Sequence, residues 1–83
     1  MIRNDYYGVP DWLMAEYLTD LGGTEAEKFV IEGDGWSARI GKAEPNRIGS
    51  LVIGGASVEF SGDEEALDAL FDELHKKTLR GGG

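Results

Sequence analysis

The strongest constraint on the fold is the apolar spacing between Ser61 and Gly83. Leu67, Leu70, Phe71 and Leu74, with Thr78 beyond them, fall three and four positions apart, which predicts one face of a long helix. That face is too apolar to lie bare in water, so the rest of the chain has to supply a covering layer. Ser61 with Glu64 three positions on reads as a capping box, and Glu65 adds negative charge to the first turn, where the helix dipole favours it. Lys76, Lys77 and Arg80 suit the opposite end. The last four residues, Arg80-Gly81-Gly82-Gly83, predict a flexible arm beyond a single domain over residues 1–79.

The cover comes from two hairpins and a second helix. Val9-Pro10-Asp11 predicts a helix start, with proline preset for the first helical position and Asp11 in the first turn. The helix is expected from Pro10 to Leu21, with Leu13, Met14, Tyr17, Leu18 and Leu21 inward, Trp12 at the rim, and Gly22-Gly23 as the stop. From Thr24 the period changes to two. Phe29 and Ile31 alternate with Lys28, Val30 and Glu32, Gly33-Asp34-Gly35 reverses the chain, and Trp36, Ala38 and Ile40 resume the alternation.

After a loop over Gly41 to Asn46, a second hairpin is expected, with Arg47 to Ile53 turning at Gly54-Gly55 into Ala56 to Ser61. Its first strand alternates equally well as Ile48, Ser50, Val52 or as Gly49, Leu51, Ile53, so pattern leaves its inner face open. Met1 to Tyr7 has no clear period and reads as a short edge strand or an ordered arm. The expected fold is α+β: a four-stranded antiparallel sheet from two hairpins, with the N-terminal and C-terminal helices on one face.

Composition narrows the function classes. Sixteen acidic against eight basic residues give a formal charge of −8, which repels a phosphate backbone, so nucleic acid is not an expected partner. The acids are spread along the whole chain, as on a solvated surface or on one adapted to high salt. No apolar run approaches the ~20 residues needed to span a bilayer, and the first residues lack a signal-peptide core, so no membrane is expected and a cytoplasmic protein is. The absence of cysteine excludes disulfides, thiolate metal sites and a cysteine nucleophile.

No catalytic constellation appears, and the chain is expected to be non-enzymatic, without cofactor or metal. Asp63, Glu64 and Glu65 are consecutive, so on a helix they point about 100° apart and do not converge on an ion. His75 follows Asp72 at helical spacing and, with no nucleophile beside it, reads as a cation near the dipole's negative end. Trp12 and Trp36 fit a pocket or a core equally. The glycine run differs from the other glycine pairs, which serve a helix stop and a turn. A carboxylate on a flexible arm without Cβ atoms can thread a narrow enzyme channel, which suits Gly82 and Gly83 to activation as an acyl-adenylate and transfer to sulfur or lysine, with Arg80 and Gly81 as the recognised arm.

Val9-Pro10-Asp11-Trp12-Leu13, Glu16-Tyr17-Leu18, Leu21-Gly22-Gly23-Thr24, Glu44-Pro45, Ile48-Gly49-Ser50-Leu51 and Arg80-Gly81-Gly82-Gly83 together resemble the C-terminal domain of proteins related to the small subunit of molybdopterin synthase. The likeness covers the chain from about Tyr7 onward. In that family the domain follows a β-grasp sulfur carrier with its own diglycine end. Leu79-Arg80-Gly81-Gly82-Gly83 is also similar to the ends of ubiquitin-like and small archaeal modifiers, although the order helix, four strands, helix is not that of β-grasp. The resemblance implies a sulfur-carrier-related or modifier-like protein whose partner is an adenylating activating enzyme or a protein of molybdopterin synthesis or thiolation. The other reading from the residues is a stand-alone interaction domain using the sheet face that the helices leave open.

Overall fold

In the computed structural model, which describes residues 1–81, two helices cover a sheet with one more strand than expected. The elements run β1 (Ile2–Tyr7), α1 (Asp11–Asp20), β2 (Thr24–Glu27), β3 (Val30–Gly33), β4 (Trp36–Lys42), β5 (Asn46–Ile48), β6 (Leu51–Ile53), β7 (Gly55–Gly62) and α2 (Glu64–Gly81). Five of the strands form one sheet in the order β1-β7-β4-β3-β2, and β5 with β6 forms a separate two-stranded hairpin. Every pairing is antiparallel. The Arg80 side chain and residues 82–83 lie outside the description.

The strand that organises this side of the sheet is β7, which lies between β1 and β4 and not in a local hairpin. It pairs with β4 from Trp36↔Gly62 to Lys42↔Ala56, and with β1 from Ile2↔Phe60 to Tyr7↔Gly55. The expected second hairpin across Gly54-Gly55 therefore does not form. Gly49-Ser50 makes that reversal instead, with Gly49 at φ 61° and Ile48 opposite Leu51. The Gly54 carbonyl accepts from the Gly8 N–H at 2.9 Å, which seats the start of β7 against the end of β1. The missing period in β1 follows from its edge position, where both faces are partly wet and alternation fades.

The strand expected from Thr24 to Glu32 is two strands. The chain reverses at Lys28-Phe29, where Phe29 takes φ 62° and its backbone N–H donates to the Glu25 carboxylate at 3.2 Å. The Asp34-Gly35 reversal stands as expected, with Gly33 opposite Trp36 and Gly35 at φ 82°. Pro10 sits one residue outside α1 as its cap, and its carbonyl accepts from the N–H groups of Leu13 and Met14. At the far end, Gly22 at φ 104° lets its N–H reach the Thr19 carbonyl and the Gly23 N–H reach that of Leu18, the paired bonds of a Schellman stop.

The capping box at Ser61 is likewise corrected. Ser61 is a β7 residue opposite Ser37, and α2 begins three residues later, with the Asp63 carbonyl taking the first helical bond from the Leu67 N–H at 2.9 Å. The strand wins because β7 has to reach Gly62 to complete its ladder with Trp36.

One cluster forms the core. Ile31, Trp36, Ala38 and Ile40 from β3 and β4, and Ala56, Val58 and Phe60 from β7, meet Met14, Tyr17 and Leu18 of α1 and Leu67, Leu70 and Leu74 of α2. Leu13, Leu21 and Phe71 pack against it while partly exposed. Burying a side chain of this kind stabilises by roughly 1.5–3 kcal/mol, so these contacts explain the position of both helices. The alternate residues of β7 and β4, Ser57, Glu59, Ser61, Ser37 and Arg39, belong to the opposite, polar face. The buried Ser57 hydroxyl there accepts from Arg3 Nε at 2.8 Å.

Candidate functional site

Of the residues expected to carry chemistry, Arg80 and Gly81 have their backbone in the last turn of α2, where the helix outruns its own core. Leu67, Leu70 and Leu74 are buried, and beyond Leu74 no described residue of α2 is. The helical backbone nevertheless continues through Arg80 to Gly81. Leu79 is 72% exposed, so the last turn has left the apolar layer that explains the rest of the helix. What holds this overhang is polar. Lys77 Nζ lies 3.6 Å from the Asp20 carboxylate and 5.8 Å from the Tyr17 ring centroid, bracing α2 on the end of α1. The Thr78 hydroxyl donates to the His75 carbonyl at 3.0 Å. Of the arm residues, Arg80 and Gly81 have helical backbone, and Gly82 and Gly83 lie outside the described residues.

The other candidates separate in space. Asp72 pairs with Lys76 at 3.7 Å, one turn along the helix, and Lys76 also meets Glu73 at 3.4 Å. His75 is exposed and lines a shallow groove between β1 and α2 with Asn4, Asp5, Tyr6, Asp68, Phe71 and Asp72. In that groove burial pushes the Tyr6 phenol above its usual range, and the Asn4 amide, donating to the phenol oxygen at 3.3 Å, opposes the shift. Asp63, Glu64 and Glu65 line an open depression with Asp34 and Asp68 at the start of α2. Among the described residues, no three His, Asp or Glu side chains are grouped to hold a metal ion.

The two tryptophans do not share a pocket. Trp36 is in the core, 8% exposed, whereas Trp12 stands outside at 58%, in a depression with Ala15, Glu16, Thr19, Glu25 and Phe29. Pattern reading also missed an apolar surface. Ile48, Leu51 and Val52 of the β5–β6 hairpin are each more than half exposed. The Gly-Ser pair between Ile48 and Leu51 is a two-residue hairpin signal that would have located it.

Among the described residues, no helix is long and apolar enough to cross a membrane. No curated protein matches the sequence. The family model described as archaeal MoaD-like protein matches residues 2–83, which takes in β1, the whole sheet, both helices and the glycine run. The chain belongs to the archaeal MoaD-like protein family.

Proposed function

We propose that this is a small sulfur-carrier-like protein that works through the carboxylate of Gly83. The observation that carries the reading is the family match, which continues through Gly82 and Gly83 instead of stopping at the folded body. The geometry is compatible with it. An 18-residue helix is about 27 Å long, and its last turn, beyond the core, delivers the arm to a partner without requiring the sheet to open.

The chemistry needs no group from this chain beyond the carboxylate. A carboxylate oxygen of Gly83 attacks the α-phosphorus of ATP on an adenylating partner, and pyrophosphate leaves. The resulting acyl-adenylate is a good electrophile. Hydrosulfide attacking the acyl carbon expels AMP and leaves a thiocarboxylate; a lysine amine attacking the same carbon expels AMP and, on losing a proton, leaves an amide conjugate. Arg80 and Gly81 form the recognised arm, the partner being that adenylating enzyme or a protein of molybdopterin synthesis or thiolation. A role beside sulfur carriers is supported by the family match, and the all-antiparallel pairing of the strands is in keeping with the C-terminal-domain likeness more than with a β-grasp body.

Intact mass of the protein from its native cells tests the reading. The expected finding is a species in which one carboxylate oxygen is replaced by sulfur, or conjugates joined at Gly83, both lost when Gly82 and Gly83 are deleted. Only free carboxylate, with no conjugates under sulfur-demanding growth, would remove the carrier role. We also infer that the acidic surface is suited to high salt; acids such as Asp20, Asp72 and Glu73 keep their side chains more than half exposed even when paired.

A further inference from the structure

The two edges of the five-stranded sheet differ in how they are protected. At one, β2 is four residues long, carries Glu25 and Glu27, and is interrupted by an irregularity between them. Those are the features that blunt a sheet edge against further pairing. At the other, β1 runs six residues in unbroken register with β7, has no proline, and exposes Ile2 and Tyr7 at 43% each. Among the described residues nothing pairs with its outer side.

The direction of its free hydrogen bonds follows from the ladder. The Gly8 N–H donates to the Gly54 carbonyl, so the bonded pairs between β1 and β7 fall on even-numbered β1 residues. The N–H and C=O groups of Arg3, Asp5 and Tyr7 therefore point away from the sheet. Their side chains share the polar outer face with their partners Glu59, Ser57 and Gly55, whereas Ile2, Asn4 and Tyr6 share the helix-covered face with Phe60, Val58 and Ala56.

We propose that β1 is the self-association edge of this protein, pairing antiparallel with β1 of a second copy in the register centred on Asn4. Only registers that oppose odd-numbered to odd-numbered residues bring free backbone groups together. Centring on Arg3 or on Asp5 sets like charges opposite each other. Centring on Asn4 sets Arg3 against Asp5 of the second copy, and the reverse, so that two oppositely charged cross-strand pairs form about the two-fold axis. The same register lays Ile2 against Tyr6 of the partner copy on the helix-covered face. Within one chain Arg3 Nε already lies 3.6 Å from Asp5, so both charges stand ready on the outer face.

Sedimentation of the full chain over a concentration series at fixed ionic strength tests the pairing. Mass should rise toward twice the 9.0 kDa of one chain. Arg3→Asp and Asp5→Arg should each weaken association about tenfold or more, because each sets like charges across the axis. Mixing those two variants should restore dimers, as heterodimers, and so should the double exchange in one chain; that recovery separates lost pairing from lost folding. A monomer at every concentration, a dimer indifferent to Arg3→Asp, or two variants that ignore each other would overturn the proposal.

Discussion

Phe71 of α2 meets Phe60 of β7 edge to face, with ring centroids 4.9 Å apart and planes at 79°. Phe60 is fully buried in the strand that both β1 and β4 pair with, so this contact ties the helix to an interior strand of the sheet. Replacing Phe60 with Ala should cost about 3–5 kcal/mol, the range for emptying a closed aromatic site. Phe71→Leu keeps most of the apolar contact and should cost about 0.5–1.5 kcal/mol, the edge-to-face contribution. Urea unfolding gives both values, and no loss in Phe71→Leu would show that the ring pair is not what positions α2.

Adjacent glycines should respond oppositely to a methyl group. A Cβ on Gly55 would run into the Tyr6 carbonyl oxygen and the Tyr7 Cα, because β1 and β7 close together there. At Gly54 a Cβ meets nothing within 4 Å. Gly55→Ala should destabilise by about 2 kcal/mol or more, and Gly54→Ala should stay within about 0.5 kcal/mol. Read as a symmetric turn, the pair would give similar losses, so paired thermal melts discriminate.

That contrast also marks what pattern reading could reach. Leu67, Leu70 and Leu74 were legible because helical spacing reports burial directly, and Trp36, Ala38 and Ile40 because strand alternation does. The turns were less so. Gly49-Ser50 and Gly54-Gly55 both satisfy local hairpin chemistry, and only the distant pairing of β7 with β1 and β4 decides between them. Phe29 at φ 62° carries no local signal, since a left-handed turn ordinarily calls for glycine or asparagine. The arm was visible as composition alone: glycines have no side chain whose burial could confirm or correct the reading.

Tyr6 gives a pH dependence with a definite sign. Burial raises its phenol above the ordinary 10.0, more than the Asn4 amide lowers it. A folded pKa above the unfolded one means the folded chain holds the proton more tightly. The contribution is therefore complete below about pH 10 and is lost as pH rises through the folded value. Tyr6→Phe should flatten the alkaline limb of stability against pH relative to the parent chain, leaving neutral pH little changed. Parallel limbs would show that the phenol titrates freely.

Salt should stabilise the chain. With a formal charge of −8, self-repulsion opposes the compact state, and ions that shorten the screening length relieve it. The exposed ion pairs, such as Lys76 with Asp72 and Glu73, are worth only a few tenths of a kcal/mol and lose little in return. Melting temperature should rise steadily in potassium chloride from dilute to molar. A flat or falling curve would sink the high-salt reading of the surface.

The overhang of α2 rests on Lys77, and its removal should be felt locally. The Asp20 carboxylate at 3.6 Å is 64% exposed, and the Lys77 side chain is 29% exposed against Tyr17, so the pair is partly screened. Its loss in Lys77→Ala should cost about 0.5–1 kcal/mol globally. The larger change should appear in amide exchange. No buried side chain follows Leu74 among the described residues, so without Lys77 the helix from His75 onward has little but its own hydrogen bonds. Protection should fall across His75 to Leu79 while Leu67 to Leu74 keep theirs. If this chain delivers its glycines to an adenylating partner, the same variant should lower the yield of modified Gly83 without unfolding the domain. Loss of protection spread evenly along α2 would show instead that the brace is part of the core.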